Sequence, residues 1–181
     1  MAKPIVGVMG PGEEASLSDR EIARQLGAGI ARHGWILLTG GRNAGVMDAA
    51  SESAHSAGGI VLGILPGKDK KEASLHLDIA IPTNLGEARN VLNVLTADVI
   101  VGIGMNPGTA SEIAIAIKAE KPVFLLNCPP EGIAFFSYLK KASPTYRGLL
   151  QPVQSVEECI EEIEKLLSSN PMLTEKEYSG S

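Results

Sequence analysis

Three times along this chain a short aliphatic run breaks into a glycine-rich loop and then into a helical pattern. That repeated passage restricts the fold more than any other feature. The fullest instance runs from Ala97 to Pro122. Val99-Ile100-Val101 suits a strand covered on both faces, because a parallel strand between two helical layers needs no polar alternation. Gly102, Gly104, Pro107 and Gly108 punctuate its end. Thr109 then reads as a helix cap, with Glu112 three residues on as the reciprocal partner of a capping box. A loop of this kind leaves backbone N–H groups free at the positive end of a helix dipole, which makes an anion site.

The other two instances lie upstream. Ile5 to Met9 ends in Gly10-Pro11-Gly12, and Trp35 to Thr39 ends in Gly40-Gly41-Arg42-Asn43-Ala44-Gly45-Val46-Met47. Ser18-Asp19-Arg20-Glu21 reads as a capping box opening a helix to about His33, with Ile22, Leu26 and Ile30 at helical spacing and Gly34 as its stop. An alanine-rich helix follows from about Gly45 to Ser56. Further strands are expected over 60–64, 78–81, 123–126 and 150–153. Further helices are expected through Leu92 and Leu95, over 133–140, and from a capping box at Ser155 to Leu167. Alternating strands and helices predict an α/β fold: a doubly wound, Rossmann-like parallel sheet with helices on both faces. Ligands of such sheets bind at the carboxyl ends of strands near a switch in strand order, where the three glycine-rich loops converge. Residues 1–167 are expected to form a single domain and 168–181 a polar tail.

Charge and composition narrow the function. The 16 Lys and Arg against 21 Asp and Glu give a net charge of −5, which argues against duplex nucleic acid as a partner. The apolar run Pro4 to Met9 is too short for a signal sequence, and nothing approaches a membrane span, so a cytoplasmic protein is expected. Cys128 and Cys159 lack metal-ligand spacing and read as free thiols. His33, His55 and His76 suggest no metal site, and Ser111 has no base in a nucleophile motif.

The Gly40 to Met47 loop is neither a Walker loop nor a dinucleotide fingerprint. Its glycines let backbone approach a ligand, and Arg42 is either a phosphate partner or a solvated arginine beside a tight turn. Arg89 and Glu112 flank the same strand. They suit phosphate binding and stabilisation of a developing cation at a sugar carbon, or equally a structural ion pair. Lys68, Lys70 and Lys71 read as solvated surface, with a lid over an anion as the second reading.

The combination Gly40-Gly41-Arg42-x-x-Gly45-Val46-Met47, Glu87-x-Arg89-Asn90 and Pro107-Gly108-Thr109-x-x-Glu112 resembles the LOG-like Rossmann superfamily over about residues 4–167. That superfamily contains nucleoside-monophosphate phosphoribohydrolases and molybdenum cofactor carrier proteins. The hydrolase pattern is Pro-Gly-Gly-x-Gly-Thr-x-x-Glu preceded by Arg-Lys, and its catalytic arginine and glutamate fall on Arg89 and Glu112. Here the Pro-Gly-Gly start is Gly104-Met105-Asn106, and the lysine is Asn90. Side chains at Met105 and Asn106 are expected to reshape the ribose and phosphate pocket, as in a binder derived from a hydrolase frame. The chain looks most like the carrier subgroup.

The resemblance implies binding, protection and transfer of molybdenum cofactor, a phosphate-bearing molybdopterin with a metal-bearing dithiolene, without turnover. Its phosphate is expected on Gly108-Thr109, with Gly10, Gly12, Gly40, Gly41, Arg42, Gly45 and Met47 holding the remainder beside Arg89, Gly104, Met105, Asn106, Pro107 and Glu112. The implied partners are molybdoenzymes or cofactor-synthesis proteins, and the implied assembly is a homodimer or homotetramer with no membrane or nucleic-acid partner. The alternative is a phosphoribohydrolase releasing a free base from a nucleoside 5′-monophosphate, with Arg89 and Glu112 catalytic.

Overall fold

A computed structural model describes residues 2–142 and 148–169 of the chain. Strand and helix alternate as β1 (Ile5–Met9), α1 (Leu17–Arg32), β2 (Ile36–Thr39), α2 (Gly45–Ser56), β3 (Ile60–Leu65), β4 (Ile79–Pro82), a 3-10 turn (Gly86–Arg89), α3 (Asn90–Thr96), β5 (Val99–Ile103), α4 (Pro107–Lys118), β6 (Val123–Leu126), α5 (Pro130–Ala142), β7 (Leu150–Val153) and α6 (Val156–Ser169). Ser168 and Ser169 of the expected polar tail belong to α6, and the rest of that tail lies outside the described residues.

The strands form one seven-stranded sheet in the order β4-β3-β2-β1-β5-β6-β7. Every neighbouring pair is parallel. Chain order runs outward from β1 to β4 and then returns to place β5 against β1, with Val6 opposite Val99 and Val8 opposite Val101. The switch point is therefore the β1/β5 boundary, where loops leaving in opposite directions open a crevice.

The aliphatic runs divide between two cores with the two-residue period of a strand. Val99, Val101 and Ile103 of β5 join Leu37, Phe124 and Leu126 beneath α1, α2 and α6. Ile100 joins Leu38, Val123 and Leu125 beneath α3, α4 and α5, with Ile113 and Phe136 from the helices. All of β5 is buried, as a central strand covered on both faces must be. Full burial of each such aliphatic side chain contributes about 1.5–3 kcal/mol before conformational entropy opposes it.

Two local expectations need correction. The box that opens α1 is Ser16 with Asp19, not Ser18 with Glu21. Ser16 Oγ accepts the Asp19 N–H at 3.0 Å, and Asp19 Oδ2 accepts the Ser16 N–H at 3.1 Å. Asp19 is fixed there because its other oxygen takes a 2.8 Å hydrogen bond from Asn127 Nδ2. Next, α4 starts three residues earlier than a Thr109 cap requires. Its cap is Asn106 and Pro107 occupies the first helical position, where its missing N–H has no consequence. The helix expected through Leu92 and Leu95 is present as α3, and those two leucines lie outside its buried face. They are 38% and 55% exposed, and the helix buries Asn90, Asn93 and Val94 instead.

Candidate functional site

The carboxyl ends of β1, β2 and β5 enclose a cleft of about 790 Å³, within the range of small-molecule sites. Gly10 and Gly12 enter it from the β1 loop, Gly40, Arg42 and Met47 from the β2 loop and α2, and Asn106, Pro107, Gly108, Thr109 and Glu112 from the start of α4. Arg89 and Asn90 come from the 3-10 turn and α3. The expected convergence of three distant loops is thus realised at the switch point. Gly41, Gly45, Gly104 and Met105 do not line the cleft. Gly41 packs on Gly63, and Gly45 lies against the backbone of Pro11 and Gly12. Gly104 has φ +62, and a Cβ there would meet Asp19 Oδ1 at 2.7 Å. Met105 packs into the core near Cys128 and Gly132.

Arg89 and Glu112 form the centre. Both side chains are 8% exposed, and Arg89 Nη1 lies 4.0 Å from Glu112 Oε1. Asn93, which the sequence reading passed over, donates from Nδ2 to that same Glu112 oxygen at 2.7 Å. Burial pushes the Glu112 carboxyl up to about 7, against the lowering effects of the Asn93 hydrogen bond and the Arg89 charge. Burial likewise lowers the Arg89 pKa, with Glu112 opposing it. Glu112 therefore serves neither as the capping partner of Thr109 nor as a surface carboxylate. Arg89 Nε and Nη1 and Asn93 Oδ1 are buried without a hydrogen-bond partner among the described residues. Buried polar atoms of that kind are rare in folded proteins and mark a place where a ligand or water completes the set.

The guanidinium lies against bare backbone at Gly40. A Cβ there would collide with Arg89 Nη1 and would meet Arg89 Nη2 and Met47 Sδ at 2.7 Å. Glycine at 40 is thus a steric requirement of the site. Arg42 is held by two glutamates, although its Nε, like that of Arg89, is buried without a hydrogen-bond partner among the described residues. Its Nη2 donates to Glu13 Oε1 at 2.8 Å, and its Nε lies 3.3 Å from Glu72 Oε2. The segment carrying Glu72 is strapped to the β2 loop by Asn43 N–H to Glu72 O at 2.8 Å and Ser74 N–H to Gly41 O at 2.9 Å. Lys68, Lys70 and Lys71 stand exposed on that segment, and none lines the cleft.

At the start of α4, Asn106 Oδ1 accepts the Thr109 N–H at 2.8 Å and the Thr109 hydroxyl at 3.0 Å. Asn90 Nδ2 donates to Ser111 Oγ at 2.8 Å, which ties α3 to α4 where a hydrolase pattern carries lysine. Asn93 had one legible signal. Asn90, Asn93, Val94 and Ala97 share one helical face, and all four are buried.

The pattern of the SLOG cluster4 family spans residues 3–160. This chain belongs to the SLOG cluster4 family. Among solved structures, this SLOG cluster4 chain is similar to the molybdenum cofactor binding protein of the phototrophic bacterium Rippkaea orientalis. Identity there is 47% and the TM-score 0.87, over 92% of this chain and 99% of that one. It is also similar to the molybdenum cofactor carrier protein of Chlamydomonas reinhardtii, at 46% identity and TM-score 0.85 over 92% and 99% of the two chains. A shorter similarity, 39% over 46 residues and 25% of each chain, links it to the cytokinin riboside 5′-monophosphate phosphoribohydrolase of Mycobacterium tuberculosis. Among the described residues of this family member, no helix is long and apolar enough to cross a membrane. No group of three or more His, Cys, Asp or Glu side chains among them is placed to hold a metal ion.

Proposed function

We propose that this chain binds molybdenum cofactor and holds it for transfer without turning it over. The observation that carries the reading is Arg89: a guanidinium buried in the cleft wall with two nitrogens lacking hydrogen-bond acceptors among the described residues. A phosphate oxygen supplies such acceptors in a charge-assisted hydrogen bond. The start of α4, with its dipole and the Gly108 and Thr109 donors, faces the same cleft and suits the same group. Gly12 leaves backbone open to a flat ring system, Gly10 and Gly40 let Val46 and Arg89 pack close beneath it, and Met9 and Met47 add apolar surface. The similarity to the Rippkaea and Chlamydomonas proteins, over nearly the whole of both, supports the same ligand.

When bound, the cofactor brings its own dithiolene and metal chemistry. The chain's part is to grip the phosphate, flank the ring and exclude water. In this reading residues 1–167 act as one unit in the cytoplasm, and the cargo passes to or from molybdoenzymes or cofactor-synthesis proteins. A homodimer or homotetramer is supported by the exposed apolar side chains Val91, Leu92 and Leu95 on α3 beside the cleft.

The Arg89–Glu112 pair also favours a second reading, hydrolysis of a nucleoside 5′-monophosphate, and the partial similarity to the phosphoribohydrolase agrees with it. The start of α4 argues against it. Met105 and Asn106 carry side chains where the hydrolase pattern has bare backbone, and Asn106 Oδ1 takes both Thr109 donors. Incubation with a panel of nucleoside monophosphates tests this. No free base is expected, and robust release that disappears in Glu112→Ala overturns the carrier reading.

A further inference from the structure

The first turn of α4 is already occupied. Asn106 Oδ1 holds both the N–H and the hydroxyl of Thr109, at 2.8 and 3.0 Å. Pro107 has no N–H, and the Ala110 N–H bonds the Asn106 carbonyl at 2.8 Å. Of the first-turn donors, only the Gly108 N–H lacks a protein acceptor among the described residues. The donors that an anion would use at this helix start are therefore taken by a side chain that itself lines the cleft. An independent observation points to an anion there. Arg89 lines the same cleft with its side chain 8% exposed, and its Nε and Nη1 have no hydrogen-bond partner among the described residues.

We infer that Asn106 is an internal competitor for the anionic end of the ligand: its carboxamide oxygen stands where a phosphate oxygen engages Thr109, and it rotates away when phosphate binds. The inference rests on the reading that this cleft takes a phosphate-bearing ligand, and it names the residue that sets how tightly the phosphate is held. A side-chain cap at this position is worth a factor of roughly five in stability. Any ligand that uses Thr109 must first overcome that factor. Phosphate does so because its charge-assisted hydrogen bonds are about twice as strong as neutral ones. A neutral hydroxyl or carbonyl group gains no such advantage over the carboxamide it displaces. A neutral group therefore leaves the carboxamide in place, and a phosphate reaches the Thr109 donors at a roughly fivefold cost in affinity.

Titration of inorganic phosphate into the wild-type chain and into Asn106→Ala and Asn106→Asp, followed by calorimetry and by the Thr109 amide resonance, tests this. The Thr109 amide is expected to shift as phosphate enters. The alanine variant is expected to bind phosphate roughly fivefold more tightly than wild type. The aspartate variant keeps a cap and adds a negative charge, so it is expected to bind more weakly. Circular dichroism establishes that each variant folds; if alanine does not, Asn106→Gly replaces it, since glycine is a tolerated cap. An alanine or glycine variant no tighter than wild type, or a Thr109 amide indifferent to phosphate, overturns the inference. The cofactor reading fails separately. If molybdenum cofactor is not retained but phosphate affinity still runs Ala above Asn above Asp, Asn106 keeps its role and the cofactor reading falls. If the cofactor is retained and that order is absent, the competitor role alone falls.

Discussion

Arg89 Nη1 stops 4.0 Å short of Glu112 Oε1, while Asn93 Nδ2 reaches that same oxygen at 2.7 Å. The amide, not the guanidinium, satisfies the carboxyl group. Arg89 is left with a neighbouring charge that keeps it in place and with donors still unspent. That division of labour distinguishes this pair from a closed structural salt bridge, and it sets what each substitution should do.

Arg89→Met should weaken binding of inorganic phosphate at least tenfold, since a hydrogen bond to a charged group contributes about 1.5–3 kcal/mol. Urea denaturation should register a smaller free-energy change than phosphate binding does, because Glu112 keeps its Asn93 hydrogen bond. A large stability loss with unchanged phosphate affinity would assign Arg89 to the fold instead.

Glu112 should make stability depend on pH. Its carboxyl holds a proton up to about 7 in the native chain, against 4.5 as its ordinary value. Between those values the native state binds more protons than the unfolded state, so stability falls as pH rises through the window. The full difference is about 3 kcal/mol, present below 4.5 and lost above 7. Glu112→Gln keeps an acceptor for Asn93 and removes the titration. Its denaturation free energy should be flatter from pH 5 to 8 and higher than wild type at pH 8. Parallel pH profiles for the two proteins would show that Glu112 is not the titrating group.

Gly40→Ala should displace Arg89 or Met47, whose atoms would lie 2.7 Å or closer to the new Cβ. Overpacking of this kind costs roughly 1–3 kcal/mol, and phosphate affinity should fall with it. Gly58→Ala is a control of another kind. It has φ +78 with no atom near its Cβ position, so it should strain the backbone and leave affinity unchanged.

The two serines near the start of α1 separate by thermal melting. Ser16→Ala removes the observed cap and should cost about 1 kcal/mol, whereas Ser18→Ala, exposed inside the helix, should stay within about 0.5 kcal/mol of wild type. Equal losses would mean that the helix starts where Ser18 places it.

The sheet was readable because each strand is a short aliphatic run that ends in glycine, proline or a polar turn, and both faces of a parallel sheet are buried. The site loops were readable for a related reason, since glycines at strand ends follow from steric demands such as Gly40 against Arg89. Helix starts were less legible. Ser16 and Ser18 both carry an acidic residue three positions on, and so does Thr109. Spacing alone does not choose between such candidates. In α1 the choice is made by Asn127, 108 residues away from Asp19. In α4 it is made by Asn106, whose carboxamide reaches two Thr109 donors that Thr109 cannot supply with acceptors itself. Asn93 escaped notice because Leu92 and Leu95 gave α3 an apolar pattern on the side that turns out to be exposed.

The central claim is tested most directly by retention. The wild-type chain and Arg89→Met are mixed with molybdenum cofactor, desalted, and assayed for pterin by fluorescence after oxidation and for molybdenum by mass spectrometry. Wild type is expected to keep pterin and molybdenum together in near-stoichiometric amount, with most of both lost from Arg89→Met. A folded wild-type protein that emerges with neither contradicts the account.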